Sequence, residues 1–258
     1  MVSVVHGLNM PAHALVTGAS SGIGLAIVEA LLGDATVERV CAVSRHAADS
    51  EALVALHARH GERLQMISAD LTRDDGISAI VTGVRARGGD LHLLVNCAGL
   101  LHADGLHPEK SLASLDRGAL ERSFALNAFA PVLLVRALLP LLGPGAPRVV
   151  ASLSARVGSI SDNRLGGWYA YRASKAAQNQ FMRTLAIEWQ RTHPHATCVL
   201  LHPGTVDTPL SQPFQARVPP DALFPPARAA RQLLDIIAGL TPVDSGRFIG
   251  WDGITIPW

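Results

Sequence analysis

Short aliphatic runs and longer amphipathic stretches alternate along the whole chain. Ala12–Thr17, Arg39–Ser44, Leu64–Ser68, Leu91–Asn96, Arg148–Ser152, Thr197–Leu201 and Arg247–Gly250 are runs of strand length dominated by β-branched and aliphatic residues. Between them, the spacing of apolar positions predicts helices over Gly22–Leu32, Ser50–His60, Asp74–Ala86, Trp168–Arg191 and Pro226–Leu240, with one or two more in Leu112–Leu142. Strand and helix in strict alternation are the mark of a parallel sheet covered on both faces, whose strands read as continuous apolar runs. The expected fold is therefore α/β, a three-layer αβα arrangement with a doubly wound, seven-stranded parallel sheet.

The chain of 258 residues is long enough for one domain with a large core. Residues 1–258 are expected to form that single domain, with 1–11 as a flexible arm. A formal charge of +1, without a dense basic stripe, argues against a nucleic-acid partner. Cys41, Cys97 and Cys198 are odd in number and far apart, so neither a disulfide framework nor a metal site is expected, and a reducing cytoplasm is the simplest compartment. No signal peptide is legible at the N-terminus. Pro131–Leu142, interrupted by Arg136 and Pro140, is too short to span a bilayer. A soluble protein with no membrane partner is expected.

Two motifs carry chemistry. Thr17-Gly18-Ala19-Ser20-Ser21-Gly22-Ile23-Gly24 follows the first strand and opens the first helix. Gly18 allows a tight turn, Gly22 lets backbone amides approach a pyrophosphate, and Gly24 lets helix and strand pack closely, with the helix N-terminus facing the anion. Tyr171 and Lys175, four apart on a predicted helix, share one face. An ammonium beside a phenol favours the phenolate and lowers a pKa that is ordinarily near 10.

Together with Asn96-Cys97-Ala98-Gly99, Asn127 and Pro203-Gly204-Thr205-Val206-Asp207-Thr208, these motifs resemble, in order and over nearly the whole chain, the short-chain dehydrogenase/reductase family. Tyr169–Lys175, Gly158-Ser159-Ile160 and Trp251-Asp252-Gly253 resemble its branch of C-factor-like proteins and small carbonyl reductases. The resemblance implies an oxidoreductase that interconverts a carbonyl and an alcohol using a nicotinamide dinucleotide. Tyr171 would exchange the proton, Lys175 tune it and hold the nicotinamide ribose, a serine polarise the carbonyl, and Asn127 continue a proton relay. The dinucleotide would be bound by Gly18, Ser20, Ser21, Gly22, Ile23, Gly24, Ser44, Arg45, Asp70, Leu71, Asn96, Ala98, Gly99, Tyr171, Lys175, Pro203, Gly204, Val206 and Thr208. Asp70 also reads as an ordinary turn or helix-capping aspartate.

Ser44-Arg45 at the end of the second strand offers a guanidinium and no carboxylate, which favours NADP(H), with NAD(H) as the alternative. Counted along the strand from Arg148, Ser154 stands at the position where the resemblance implies the serine; Ser152 and Ser159 are the alternatives. Residues 209–226, with Pro213, Pro219, Pro220 and Pro226, read as a substrate-side lid or as a plain surface loop. Leu100, Leu101, Trp168 and Phe214 suggest an apolar or aromatic carbonyl substrate. Relatives usually form homodimers or homotetramers through the tyrosine helix and its neighbour, so a homo-oligomer is implied. The competing reading is a dinucleotide-binding, C-factor-like signalling protein with little turnover.

Overall fold

The structure is a computed structural model that describes residues 3–258. In chain order its elements are β1 (Ala12–Thr17), α1 (Gly22–Gly33), β2 (Val37–Ser44), α2 (Glu51–His60), β3 (Leu64–Ser68), α3 (Asp74–Ala86), β4 (Leu93–Asn96), α4 (Arg117–Phe124), α5 (Ala130–Leu138), β5 (Arg148–Leu153), α6 (Tyr169–Thr192), β6 (Ala196–His202), the short pair β7 (Thr205–Val206) and β8 (Leu223–Phe224), α7 (Pro226–Gly239) and β9 (Phe248–Gly250). Seven strands form one sheet in the order β3-β2-β1-β4-β5-β6-β9, and every neighbouring pair is parallel. The expected architecture is thus the observed one. β7 and β8 make a separate two-stranded ribbon.

Side chains alternate between two cores along each strand, as the pleat requires. Val16, Val95, Ala151 and Val199 face the layer containing Ile27, Leu31, Leu233 and Ile237 of α1 and α7. Leu15, Leu94, Val150 and Leu200 face Ile80, Leu134, Met182 and Trp189 of α3, α5 and α6. Both faces are buried, which explains the unbroken apolar runs.

Two expectations are corrected. The segment expected as a flexible arm is docked over its described residues: Val4, Val5 and Leu8 are buried in the core beside α1 and α7. Met1 and Val2 lie outside the described residues. The stretch from Arg117 to Leu141 is a continuous 25-residue helical run, by length and composition long enough to cross a bilayer, and not the short interrupted segment expected. Its prolines do not break it, because Pro131 falls in the first turn of α5 and Pro140 in a closing 3-10 turn. Part of its apolar surface lies in the core, through Leu134, Val135 and Leu138, while Phe129 and Leu133 are exposed. Between α4 and α5 the helix widens into a π turn, Ala125–Phe129, where Ala130 N–H donates to the Ala125 carbonyl. Pro131 has no N–H to give to the Asn127 carbonyl, so the ordinary ladder cannot run through this point.

The chain order reverses between β1 and β4, and the loops after these strands meet there. A Cβ on Gly24 would overlap the Gly18 carbonyl group, lying 2.8 Å from its carbon. Gly24→Ala should therefore push α1 off β1 and destabilise the fold by about 2–3 kcal/mol. Urea unfolding measures this; an unchanged midpoint would mean that α1 is free to shift.

Candidate active site

A cleft of 1090 Å³ opens at the C-terminal ends of the strands, where a doubly wound sheet binds its ligands. Gly18, Ser20, Ser21, Gly22, Ile23 and Gly24 line one end. Gly18 has φ +63° and lies so close to β4 that a Cβ would stand 2.8 Å from Ala98 N; Gly22 has φ +53°. Both conformations favour glycine. Thr17 Oγ accepts hydrogen bonds from Cys97 N at 3.1 Å and Ala98 N at 3.2 Å, tying the two loops together across the switch point. The Ser21 side chain makes no capping bond to α1. The first turn of that helix therefore presents backbone N–H groups to the cleft, the arrangement that binds an anion.

Ser44, Arg45, Asp70 and Leu71 line the far end. Arg45 is exposed and Ser44 Oγ is buried without a partner among the described residues. Asp49 faces His46 at 4.0 Å and does not fold back as a ribose acid. Asp70 accepts from Thr72 N at 2.9 Å and Thr72 Oγ at 2.7 Å, so it is a turn aspartate whose carboxylate also borders the cleft. Gly76 was missed by sequence reasoning. A Cβ there would meet the Asp70 backbone, at 2.9 Å from its N, and only a glycine lets α3 start so close.

Ser154, Tyr171 and Lys175 share the middle of the cleft with Ala98, Gly99, Pro203, Gly204, Val206 and Thr208. Of the three candidate serines, only Ser154 lines it. Ser152 is buried and receives a hydrogen bond from Asn96 Nδ2 at 3.0 Å; Ser159 is buried and accepts from Asp162 N at 3.2 Å. Asn96 is thereby corrected: it does not line the cleft but braces β4 against β5 behind it. Cys97 does line it, and burial raises its thiol pKa, keeping it a small neutral group.

Asn127 is also behind the surface. Its Oδ1 accepts from Leu100 N at 2.7 Å, while its Nδ2 donates to Leu100 O at 2.8 Å and Ser174 Oγ at 3.0 Å. Lys175 Nζ donates to the Leu153 carbonyl at 2.8 Å and Gln178 Oε1 at 2.9 Å. Ser154 Oγ donates to Asn179 Oδ1 at 2.6 Å. Gln178 and Asn179 were also missed. Asn179 continues the helix face of Tyr171 and Lys175 by one more turn, and that spacing was the available signal.

The expected direction of the Tyr171 pKa is reversed. Burial raises the phenol above its ordinary value, because Lys175 Nζ stands 6.0 Å from the ring centroid and its hydrogen bonds go elsewhere. Burial pushes the Lys175 ammonium down to about 8. At neutral pH both groups therefore hold their protons, which is the state a proton donor requires.

The residues expected as a lid cross the substrate side. Phe214 packs on Trp168 with ring centroids 4.9 Å apart, and Trp168 meets Tyr171 edge-on at 6.2 Å. His102 Nε2 lies 3.0 Å from the Pro209 carbonyl. Thr208 stands over the glycine turn, with its Cγ2 at 2.9 Å from where a Gly22 Cβ would be.

Comparison with known proteins agrees with this geometry. The chain is 39% identical over 170 residues to C-signal of Myxococcus xanthus, covering 66% of this chain and 94% of that protein. It is 33% identical over 189 residues to 1-hydroxy-2-glutathionyl-2-methyl-3-butene dehydrogenase of Rhodococcus sp. (strain AD45), covering 73% and 78%. The NADPH-bound carbonyl reductase from chicken fatty liver superposes with a TM-score of 0.83 at 28% identity, over 96% of this chain and all of that one. The short chain dehydrogenase family model matches residues 12–218, and the chain belongs to that family.

Proposed function

We propose that the protein is an NADP(H)-dependent oxidoreductase that interconverts a ketone or aldehyde with its alcohol. The observation that carries this reading is one cleft bordered by a glycine phosphate cradle, an exposed Arg45 and the trio Ser154, Tyr171 and Lys175. Bound NADPH supplies a hydride to the carbonyl carbon. Ser154 Oγ and the Tyr171 hydroxyl orient the carbonyl oxygen, and Tyr171 donates the proton that the new alkoxide needs. Lys175, charged and in the same cleft, would hold the nicotinamide ribose. Asn127 keeps the Leu100 backbone and the π turn in place, and would continue a proton relay from there. Arg45, at the end of β2, offers a forked cation to a 2′-phosphate. Trp168, Phe214 and Leu101 favour an apolar or aromatic substrate. The NADPH complex of the chicken enzyme is consistent with the cofactor choice.

The exposed side chains Phe129, Leu133, Phe181 and Ile187 on the π turn, α5 and α6 support a homo-oligomer joined through those helices. A second reading, a dinucleotide-binding signalling protein, rests on the 39% identity to C-signal.

Three outcomes test the main reading. Tyr171→Phe should lower kcat for NADPH-dependent reduction of a carbonyl panel (benzaldehyde, acetophenone, cyclohexanone) by about 10²- to 10⁴-fold, with NADPH affinity unchanged. Retained turnover would remove Tyr171 from the chemistry, and no wild-type turnover would favour the signalling reading. Arg45→Ala should weaken NADPH binding by about 10- to 100-fold in a fluorescence titration, the loss of one charge-assisted contact, and leave NADH binding alone. Equal losses for both would refute the phosphate contact.

The third outcome concerns pH. The folded-state pKa of Lys175, about 8, lies below its unfolded value of 10.5, so the unfolded chain binds more protons between these limits and stability rises with pH there. Ligand-free wild type should therefore gain on Lys175→Met by up to about 3 kcal/mol as pH rises from about 8 to 10.5. Parallel denaturation curves across that window would show that Lys175 titrates normally.

A further inference from the structure

A strained turn delivers the tyrosine to the cleft. Gly166, Gly167 and Trp168 have φ of +64°, +65° and +52° in succession, and Trp168 is the one non-glycine with positive φ among the described residues. A bulky residue adopts this conformation only when its surroundings impose it. Trp168 caps α6, three residues before Tyr171.

Two side chains hold the turn. Arg172 donates from Nε to the carbonyls of Gly166 at 3.2 Å and Gly167 at 3.0 Å, and from Nη1 to Val157 O at 3.3 Å. On the opposite side is Glu109, in the loop between β4 and α4. Its backbone carbonyl accepts from Trp168 N at 2.5 Å, and its carboxyl Oε2 accepts from Ala170 N at 3.2 Å. A Cβ on Gly167 would stand 3.3 Å from the Glu109 carbonyl, a tight approach that adds to the preference for glycine set by its φ of +65°. Glu109 is 4% exposed, and its Oε1 has no partner among the described residues. It borders a small gap whose wall includes Tyr171, Ala170 and Ser123. A buried carboxyl group with an unpaired oxygen is a costly way to fill space, and an apolar side chain would fill it at lower cost. What an apolar side chain cannot do is accept the Ala170 N–H.

We infer that Glu109 is a positioning residue for catalysis. By gripping the chain on both sides of the left-handed Trp168, it sets the indole against Phe214 and the Tyr171 phenol at the height where it meets the substrate oxygen. The inference rests on the carbonyl-reduction reading for its kinetic part only. Glu109 reaches Tyr171 through a single peptide unit, so loss of the Ala170 bond shifts the phenol directly. Displacements of about 1 Å at a reacting group lower rates by about 100-fold.

The test compares Glu109→Gln, which keeps an acceptor for Ala170 N–H, with Glu109→Leu, which fills the space without one. Two readouts are used: kcat, KM and NADPH affinity on benzaldehyde, acetophenone and cyclohexanone, and acrylamide quenching of Trp168 emission, isolated by subtracting Trp168→Phe in each background. Glu109→Leu should lose about tenfold or more in kcat with NADPH affinity unchanged, and its Trp168 should become more quenchable. Glu109→Gln should stay near wild type in both. The inference is overturned if Glu109→Leu keeps wild-type kcat and quenching, or if both variants fall equally, or if the loss in kcat is matched by an equal loss of NADPH affinity. If wild type reduces none of the carbonyls yet the quenching pattern appears, the placement of Trp168 by Glu109 stands and the carbonyl-reduction reading fails.

Discussion

A lysine buried against the end of a β-strand sets the geometry of the cleft. An ammonium in a protein interior is unfavourable unless its donors find partners, and Lys175 places two of its three on the Leu153 carbonyl and Gln178. That bond joins α6 to the C-terminal end of β5. Gly158 allows the approach, since a Cβ there would be 2.8 Å from the Lys175 Cβ. With α6 fixed in rotation and height, Asn179 meets Ser154 and Ser174 meets Asn127. The polar face of α6 therefore joins the strand that carries the serine to the helix that carries the asparagine. Tyr171 is presented as a consequence.

The end with the glycine turn obeys a different constraint. There the backbone does the work, and what matters is how near two chain segments can come. Gly18 and Gly24 leave no room for side chains, and Thr17 fastens the loop after β4 to the one after β1. The two ends of the cleft belong to one molecule because parallel strands end on the same side of the sheet. Ligand groups bound at either end would then be held by rigid elements, which favours precise orientation.

Irregular backbone collects where the chemistry is expected. The π turn around Asn127 and the left-handed turn at Trp168 both depart from regular helix within a few residues of the cleft. Such features persist only where neighbouring contacts over-determine them. For Asn127 these are its two bonds with Leu100; for Trp168 they are Arg172 and Glu109.

Much of this was legible in the chain. The ends of β1, β3 and α3 fall where the apolar periodicity places them, because local spacing and turn chemistry decide them. The glycine turn, Tyr171, Lys175 and Ser154 were legible for the same reason: each motif is confined to a few residues whose spacing already implies its geometry. Folding alone decided what depends on distant partners. Asn96 turned inward because Ser152 stands on the adjacent strand. The Tyr171 phenol was raised because it is buried, a property of packing that no four-residue spacing encodes. Val4, Val5 and Leu8 docked because one of the two cores takes them in among its buried residues. Glu109 and Trp168 lie 59 positions apart and carry no motif, and only the packed structure brings them together. Sequence determined the fold and the kind of chemistry, since both follow from periodicity and short motifs; tertiary structure decided protonation, bracing and the position of the reacting groups, since those depend on burial and on contacts between remote segments.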